Sequence, residues 1–161
     1  GLDRAIQGIN HLKEKNISSS LIVIGDDDSK PFQPSISRHS LQDKIFFMGP
    51  RSDVASFMKS ADLLVHPARE EAAGNIIIEA MVSGLPSIVS KEVGFSDEVK
   101  KFNAGAVLSD NFMQDDFNNL LEGTIKTNRL ASIKNNISSL HENNYFFSRS
   151  SFIADYIEEN Y

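Results

Sequence analysis

The chain has 161 residues, 40% of them hydrophobic and 24% charged, which suits one soluble globular domain with a sizeable core. Its net charge of −6, with no basic run, argues against nucleic acid as a partner, and the absence of cysteine excludes a disulfide framework. No apolar stretch approaches the roughly 20 residues of a membrane-spanning helix, so cytoplasm is the expected compartment. The sequence opens at Gly1 inside a helical pattern, without an initiator methionine, and we expect a piece of a longer protein.

Helical and apolar segments alternate along most of the chain. After a helix predicted over 2–15, apolar runs rich in Val, Ile and Phe predict strands at 21–25, 44–49, 62–67, 86–90 and 104–108. Helices are predicted between them at about 35–41, 53–60, 75–83 and 96–101, and then at 114–126, 129–142 and 148–159. This order predicts an α/β, Rossmann-like, doubly wound domain with a mostly parallel sheet and C-terminal helices, its strands buried on both faces.

The segment HPAREEAAGNIIIEAMVSGLP, residues 66–86, stands out because ligands of such sheets bind beyond the carboxyl ends of the strands. Gly74 or Asn75 is a suitable N-cap for the helix that follows, and Gly84 with Pro86 ends it. The free N–H groups of that helix start are a natural phosphate site. Glu79 has mostly apolar helical neighbours, so we expect it to be buried and to need hydrogen-bond donors. A ribose diol would supply them, although an interaction with the helix dipole or an arginine is the simpler alternative.

The stretch EAAGNIIIEA, Glu71 to Ala80, resembles the Glu-x7-Glu motif of retaining glycosyltransferases with two facing Rossmann-like domains, the GT-B fold of glycosyltransferase family 4. The surrounding segments GLDRAI, LIVIGD, IFFMGPRSDVASFMKSADLLVHPA, EAMVSGLPSIVS and NAGAVL are similar to that family as well. The resemblance covers nearly the whole chain as one half of a GT-B fold, the C-terminal nucleotide-sugar-binding domain. Within the family, the segment 66–86 is particularly similar to lipopolysaccharide core glucosyltransferases.

The resemblance implies a role for individual residues. Glu71, the catalytic-site candidate, would hold hydroxyls of the transferred sugar, and Glu79 would accept hydrogen bonds from the ribose. The remaining substrate-binding candidates are the backbone amides of Gly74, Asn75 and Ile76 for the diphosphate or sugar, and Pro50 and Arg51 for the base, expected to be uracil. His66, at a strand end, would hydrogen-bond sugar or phosphate or be purely structural.

Two departures from the family pattern concern the same site. The basic pair that clamps the diphosphate in the family would precede Gly1, and the family's Gly-Gly loop reads Val93-Gly94, which leaves Gly94 as the glycine for close approach. The first strand of the family's 3-2-1-4-5-6 sheet would also precede Gly1. Without that strand the sheet either has a gap or the strands pair anew.

The implied function is that of a donor domain: it binds a UDP-sugar such as UDP-glucose for retaining transfer to a cell-surface glycan such as lipopolysaccharide core. The glycan or lipid-linked acceptor would bind the missing N-terminal domain, and the isolated domain would catalyse nothing. No metal or other cofactor is expected, since this fold class works without one and the histidines have no ligand spacing. The full-length protein would be cytoplasmic, with peripheral contact at the inner face of the membrane, and the aromatic run 145–147 would serve such a contact or pack the last helix.

Three alternatives stay open at this point. A domain of the same fold could bind nucleotide sugars without transfer or belong to an epimerase. The acidic run Asp26-Asp27-Asp28 with Lys91 is reminiscent of a receiver-like signalling domain, but His66 stands where such a domain needs an aspartate. A glycoside hydrolase would use Glu71 and Glu79 as its carboxylate pair, although such pairs normally come from separate elements.

Overall fold

The computed structural model describes residues 1–26, 28–109, 111–127 and 129–142. Five short strands and the helices around them alternate as the sequence predicts, and most helix ends lie within two residues of the predicted ones. The elements are α1 (Leu2–Glu14), β1 (Leu21–Val23), a 3-10 turn (Lys30–Phe32), α2 (Gln33–Arg38), β2 (Ile45–Phe47), α3 (Val54–Ser60), β3 (Leu64–His66), α4 (Asn75–Val82), β4 (Ser87–Val89), α5 (Ser96–Lys101), β5 (Gly105–Val107), α6 (Gln114–Lys126) and α7 (Arg129–Glu142). The helix predicted at 148–159 and the aromatic run 145–147 lie outside the described residues.

All described strand pairs are parallel, but they form two sheets. β1 pairs with β2, with Ile22 opposite Phe46, and β3, β4 and β5 form a second sheet in that order. Of the two arrangements that the sequence left open, the structure has the gap, which lies between the β1–β2 pair and the β3–β4–β5 sheet. The carboxyl ends of β3 and β4 lead into the loops that form the candidate site.

Helices cover the three-stranded sheet on both sides. On one side, α1 and α6 pack over a core that contains Ile88 of β4, and on the other side α4, α5 and α7 enclose Val89. Ile88 and Val89 are both fully buried, as expected of a central strand in a doubly wound fold. The apolar residues of α1 recur at helical spacing, and this stripe, which includes Ile6, Ile9 and Leu12, is what the helix buries.

The prediction that the strands are buried on both faces is wrong for the first sheet. Ile22 and Phe46 are 50% and 44% exposed, because none of the described helices covers the side of β1 and β2 that faces away from α1. Their neighbours along the same strands, Val23 and Ile45, point to the opposite face and are buried in the core. A continuous apolar run alone therefore overestimated how much of this sheet is covered.

Candidate functional site

The loop from β3 to α4 carries Glu71 and Gly74 and lies directly against the loop that follows β4. Glu71 forms an isolated parallel bridge with Val93, in which its N–H donates to the Glu92 carbonyl at 3.3 Å. The Gly94 N–H in turn donates to the Glu71 carbonyl at 3.1 Å. These backbone bonds fix the main chain of Glu71, while its side chain stays exposed to solvent.

Gly94, the glycine predicted to allow close approach, and Gly74 are both needed for the contact between these loops. Gly74 has the left-handed dihedrals φ 70° and ψ 43°, and a Cβ there would collide with the Val93 side chain. A Cβ on Gly94 would collide with the Ala72 carbonyl oxygen. In this structure, therefore, the space beside both glycines is filled by the protein itself, and a ligand would approach α4 from its exposed side.

The N-terminus of α4 is open. Gly74, one of the two predicted residues, is the N-cap and contributes no side chain. As at any helix start, the first N–H groups, at Asn75 and Ile76, have no intrahelical acceptor. The Asn75 side chain is exposed and makes no capping hydrogen bond. This end of the helix combines free donors with the positive end of the helix dipole and can accept an anion from solvent.

Glu79 is exposed, and the expectation that it is buried is wrong. The helical period places Glu79 on the same side of α4 as Asn75 and Val82, which is 45% exposed, while Ile77, Ala80 and Met81 fill the core. The Glu79 carboxylate has no hydrogen-bond or ion-pair partner among the described residues. It is available to a ligand, but burial does not force it to have one.

His66 is half-buried at the end of β3, close enough to Glu71 for their charges to interact. Burial lowers the pKa of the His66 imidazole, and the negative charge of Glu71 partly opposes that shift. Its Nε2 atom is buried without a partner among the described residues, and so is the Oγ atom of Ser90 at the end of the adjacent strand. Buried polar atoms of this kind are normally satisfied by water or a ligand, and both lie at the predicted edge of the sheet.

A groove of about 360 Å³ opens between the two loops and is lined by Glu71, Lys91 and Gly94, among others. A larger cavity of about 550 Å³ lies between α1, α2 and the start of α6. The larger cavity contains none of the predicted site residues. We place the candidate site at the smaller groove and the adjoining start of α4, because the free helix donors and the predicted carboxylates lie there.

Pro50 and Arg51 lie on the loop after β2 and do not line this groove. The Arg51 guanidinium donates two hydrogen bonds to Asp53, at 2.8 and 2.9 Å, and lies 5.4 Å from the centre of the Phe57 ring. A base bound here would meet a guanidinium that already has a carboxylate partner.

Two arginines have roles that the sequence did not indicate. Arg69 pairs with Asp3, 66 positions away, through two hydrogen bonds. Arg4 donates to the carbonyl oxygens of Pro67 and Ala68. Both contacts join the first turn of α1 to the β3–α4 loop, and no pattern local to either segment could reveal them.

Within the acidic run after β1, Asp28 has a structural role. It accepts a hydrogen bond from the Lys30 N–H at 3.0 Å, at the start of the 3-10 turn. Asp27 lies outside the described residues. Within the described parts of the chain, no three or more His, Cys, Asp or Glu side chains are grouped as a metal would require, and no helix is both long and apolar enough to cross a bilayer.

Comparison with known proteins identifies the family. The model of the family described as "Glycosyl transferases group 1" matches residues 1–138. The chain belongs to this family. It is 33% identical over 122 residues to the lipopolysaccharide glucosyltransferase WaaG of Escherichia coli strain K12, an alignment that covers 75% of this chain and 33% of WaaG.

Solved structures agree on the fold of this group 1 chain. The crystal structure of WaaG, a glycosyltransferase involved in lipopolysaccharide biosynthesis, matches 98% of the chain and 43% of its own length, with a TM-score of 0.87 and 29% identity. The structure of Anabaena Alr3699/HepE in complex with UDP and glucose matches 98% of the chain and 44% of its own length, with a TM-score of 0.82 and 22% identity. The α/β fold predicted from the sequence, one half of a GT-B fold, is confirmed. The chain spans a third or less of the length of the curated relatives it matches.

Proposed function

We propose that this chain is the nucleotide-sugar-binding domain of a retaining glycosyltransferase that takes a UDP-sugar, with UDP-glucose as the leading candidate. The acceptor would be a cell-surface glycan such as lipopolysaccharide core, bound by another part of the full-length protein. The protein would work in the cytoplasm, at the inner face of the membrane where a lipid-linked acceptor is accessible.

The uncapped start of α4 carries this proposal. The helix offers its free N–H groups at Asn75 and Ile76 to a diphosphate, and the exposed carboxylate of Glu79 lies one turn further along the helix. A carboxylate at this distance can accept hydrogen bonds from both hydroxyls of a ribose. Glu71 lies in the preceding loop, on the other side of Gly74, where it would receive the hydroxyls of the sugar.

The chemistry asked of these residues is mainly electrostatic. The acceptor hydroxyl oxygen forms a bond to the anomeric carbon on the face that the diphosphate leaves, and the bond from that carbon to the diphosphate oxygen breaks. The acceptor proton leaves with the UDP or passes to a base outside this domain. The N-terminus of α4 would stabilise the negative charge that develops on the departing diphosphate.

The names of similar proteins support the donor assignment. WaaG, the relative at 33% identity, is a lipopolysaccharide glucosyltransferase. HepE, which shares the fold at lower identity, has been crystallised with UDP and glucose and with UDP-glucose. We transfer the donor class from these proteins as part of the proposal.

Calorimetric titration of the full-length protein with UDP, UDP-glucose, ADP-glucose and GDP-mannose tests the nucleotide. We expect UDP and UDP-glucose to bind and the other two to bind at least about tenfold more weakly, because a site that hydrogen-bonds uracil leaves its polar groups unpaired when another base is bound. Preference for an adenine or guanine nucleotide would refute the UDP assignment. Binding of UDP-glucose without turnover on any glycan acceptor would point to a binding or epimerase domain of the same fold.

Replacing Glu79 tests the ribose contact. Glu79→Ala should weaken UDP binding by about tenfold or more, because hydrogen bonds to a charged group contribute roughly 1.5–3 kcal/mol. Glu14→Ala is the matched control, since Glu14 is another exposed helical glutamate, in the last turn of α1. Equal UDP affinity in the Glu79→Ala and Glu14→Ala proteins would remove Glu79 from the site.

A further inference from the structure

The first turn of α1 holds the loop that carries Glu71. The Arg4 Nη1 atom donates to the Pro67 carbonyl at 3.1 Å and to the Ala68 carbonyl at 3.2 Å. The Arg4 guanidinium carbon also lies 3.8 Å from the centre of the Phe112 ring, a cation–π contact with the segment that follows β5. A partly buried guanidinium is thus committed to protein carbonyls and an aromatic face.

Neighbouring contacts fix Arg4 and reinforce its hold on the loop. The Gln114 side chain donates to the Arg4 carbonyl at 3.1 Å, which ties the start of α6 to the same turn. Arg69, the residue after Ala68, donates two hydrogen bonds to the Asp3 carboxylate, at 2.8 and 2.6 Å. These bonds lower the pKa of Asp3 to about 2, so the ion pair persists throughout the working pH range of an ordinary enzyme.

The loop is held at both ends. Its start is bound by Arg4 and the Asp3–Arg69 pair, and its far end by the bridge between Glu71 and Val93. Only two residues, Arg69 and Glu70, separate Ala68 from Glu71, so a shift of the Ala68 carbonyl is transmitted through a short stretch of chain to Glu71. Asn75 and Glu79, by contrast, belong to α4, and none of the Arg4 contacts named above reaches that helix.

We propose that Arg4 is a positioning residue for Glu71. It sets the place of the sugar-binding carboxylate by holding the Pro67 and Ala68 carbonyls, and it leaves the nucleotide contacts on α4 unaffected. This inference rests on the proposed function, because it assumes that Glu71 faces the transferred sugar and that α4 binds the nucleotide.

The test uses the full-length enzyme and measures UDP binding separately from the use of UDP-glucose. Arg4→Met removes both carbonyl contacts and should lower kcat/KM for UDP-glucose by about tenfold or more, since small displacements of a positioned group are costly. The dissociation constant for UDP alone should stay within about twofold of the unmodified value. The matched control is Lys13→Met. Lys13, at the other end of α1, also donates two hydrogen bonds to backbone carbonyls, those of His39 and Ser40, and this variant removes them.

Arg4→Lys keeps the experiment decisive if Arg4→Met does not fold. Lysine retains the charge and one carbonyl contact but lacks the planar face over Phe112, so its kcat/KM should fall between those of the unmodified and Arg4→Met enzymes. The proposal is overturned if the folded Arg4 variants retain full kcat/KM for UDP-glucose, or if their kcat/KM equals that of Lys13→Met. It is also overturned if they lose affinity for UDP and UDP-glucose equally. If the unmodified enzyme does not bind UDP-glucose, the proposed function itself is refuted.

Discussion

His66 sits where β3 ends, with an unpartnered Nε2 atom and the carboxylate of Glu71 nearby. Burial is the larger influence and lowers the pKa of the imidazole, so the folded protein holds His66 neutral at neutral pH. The Nε2 atom of a neutral imidazole can donate a hydrogen bond to a sugar or phosphate oxygen, or accept one from a sugar hydroxyl, depending on the tautomer. It would give a diphosphate no positive charge, and that task falls to the helix terminus.

The lowered pKa predicts a pH dependence of stability. The unfolded chain protonates His66 near its ordinary pKa of about 6.5, whereas the folded chain does so only at lower pH. The unfolded state therefore binds more protons in that interval, and the free energy of unfolding should fall as the pH drops below about 6.5. Urea unfolding at a series of pH values should show a shallower fall for His66→Gln, and identical slopes for the two proteins would contradict the assignment.

Gly74 is under two constraints that a pair of variants can separate. Gly74→Ala meets a left-handed backbone and a collision with Val93, while Gly49→Ala meets only a left-handed backbone, with φ 66° and open space around it. We expect Gly49→Ala to lower the free energy of unfolding by about 1 kcal/mol and Gly74→Ala to lower it by roughly 2–4 kcal/mol. Chemical denaturation of the full-length protein measures both, and equal losses would show that the contact with Val93 is unimportant.

At the residue scale, the sequence was informative about backbone and less so about side chains. Gly74 or Asn75 was predicted as the helix cap, and the structure has Gly74 there, in the left-handed conformation that glycine readily adopts. Glu79 was expected to be buried because its helix is apolar, but the 3.6-residue period leaves one face of α4 outside. The pairing of Arg69 with Asp3 joins residues 66 positions apart, and such a contact depends on how α1 packs against the sheet.

Among the elements, α6 supports the site indirectly by packing on α1, the helix that holds the Glu71 loop. Phe117 is fully buried in the core that α1 shares with both sheets, and its ring would collide with any side chain at Gly8. Phe117→Ala should lower the free energy of unfolding by about 3–5 kcal/mol through the cavity it leaves. Met113, the N-cap residue of α6, is 59% exposed, and Met113→Ala should cost less than about 1 kcal/mol in the same denaturation assay. Similar losses in both variants would contradict this packing.

The order and type of the elements followed from short apolar runs separated by turn residues, because that pattern is local. All five strands lie inside their predicted runs, and α5 has the predicted bounds, Ser96–Lys101. The uncovered side of Ile22 and Phe46 could not be read from the same runs, since an apolar strand residue has no signal for whether a helix lies over it. Strand identity is a local property, whereas strand burial depends on the rest of the molecule.

At the scale of the whole molecule, the proposed function makes the candidate site one wall of a larger enzyme site. A chain with a net charge of −6 would have to bind a diphosphate through local donors, and the start of α4 would supply them while Glu71 and Glu79 remain for hydroxyl groups. The chain covers 33% of WaaG, so acceptor recognition and the basic groups expected around the diphosphate belong to the proposal for the full-length protein. The family assignment and the fold do not depend on that proposal.

A crystal structure of the full-length protein with UDP-glucose tests the central claim most directly. The account predicts a diphosphate oxygen about 3 Å from the N–H of Asn75 or Ile76, with the Glu79 carboxylate on the ribose and Glu71 on the glucose. A nucleotide bound elsewhere, with the start of α4 facing only solvent and Glu79 without a ribose contact, would contradict it.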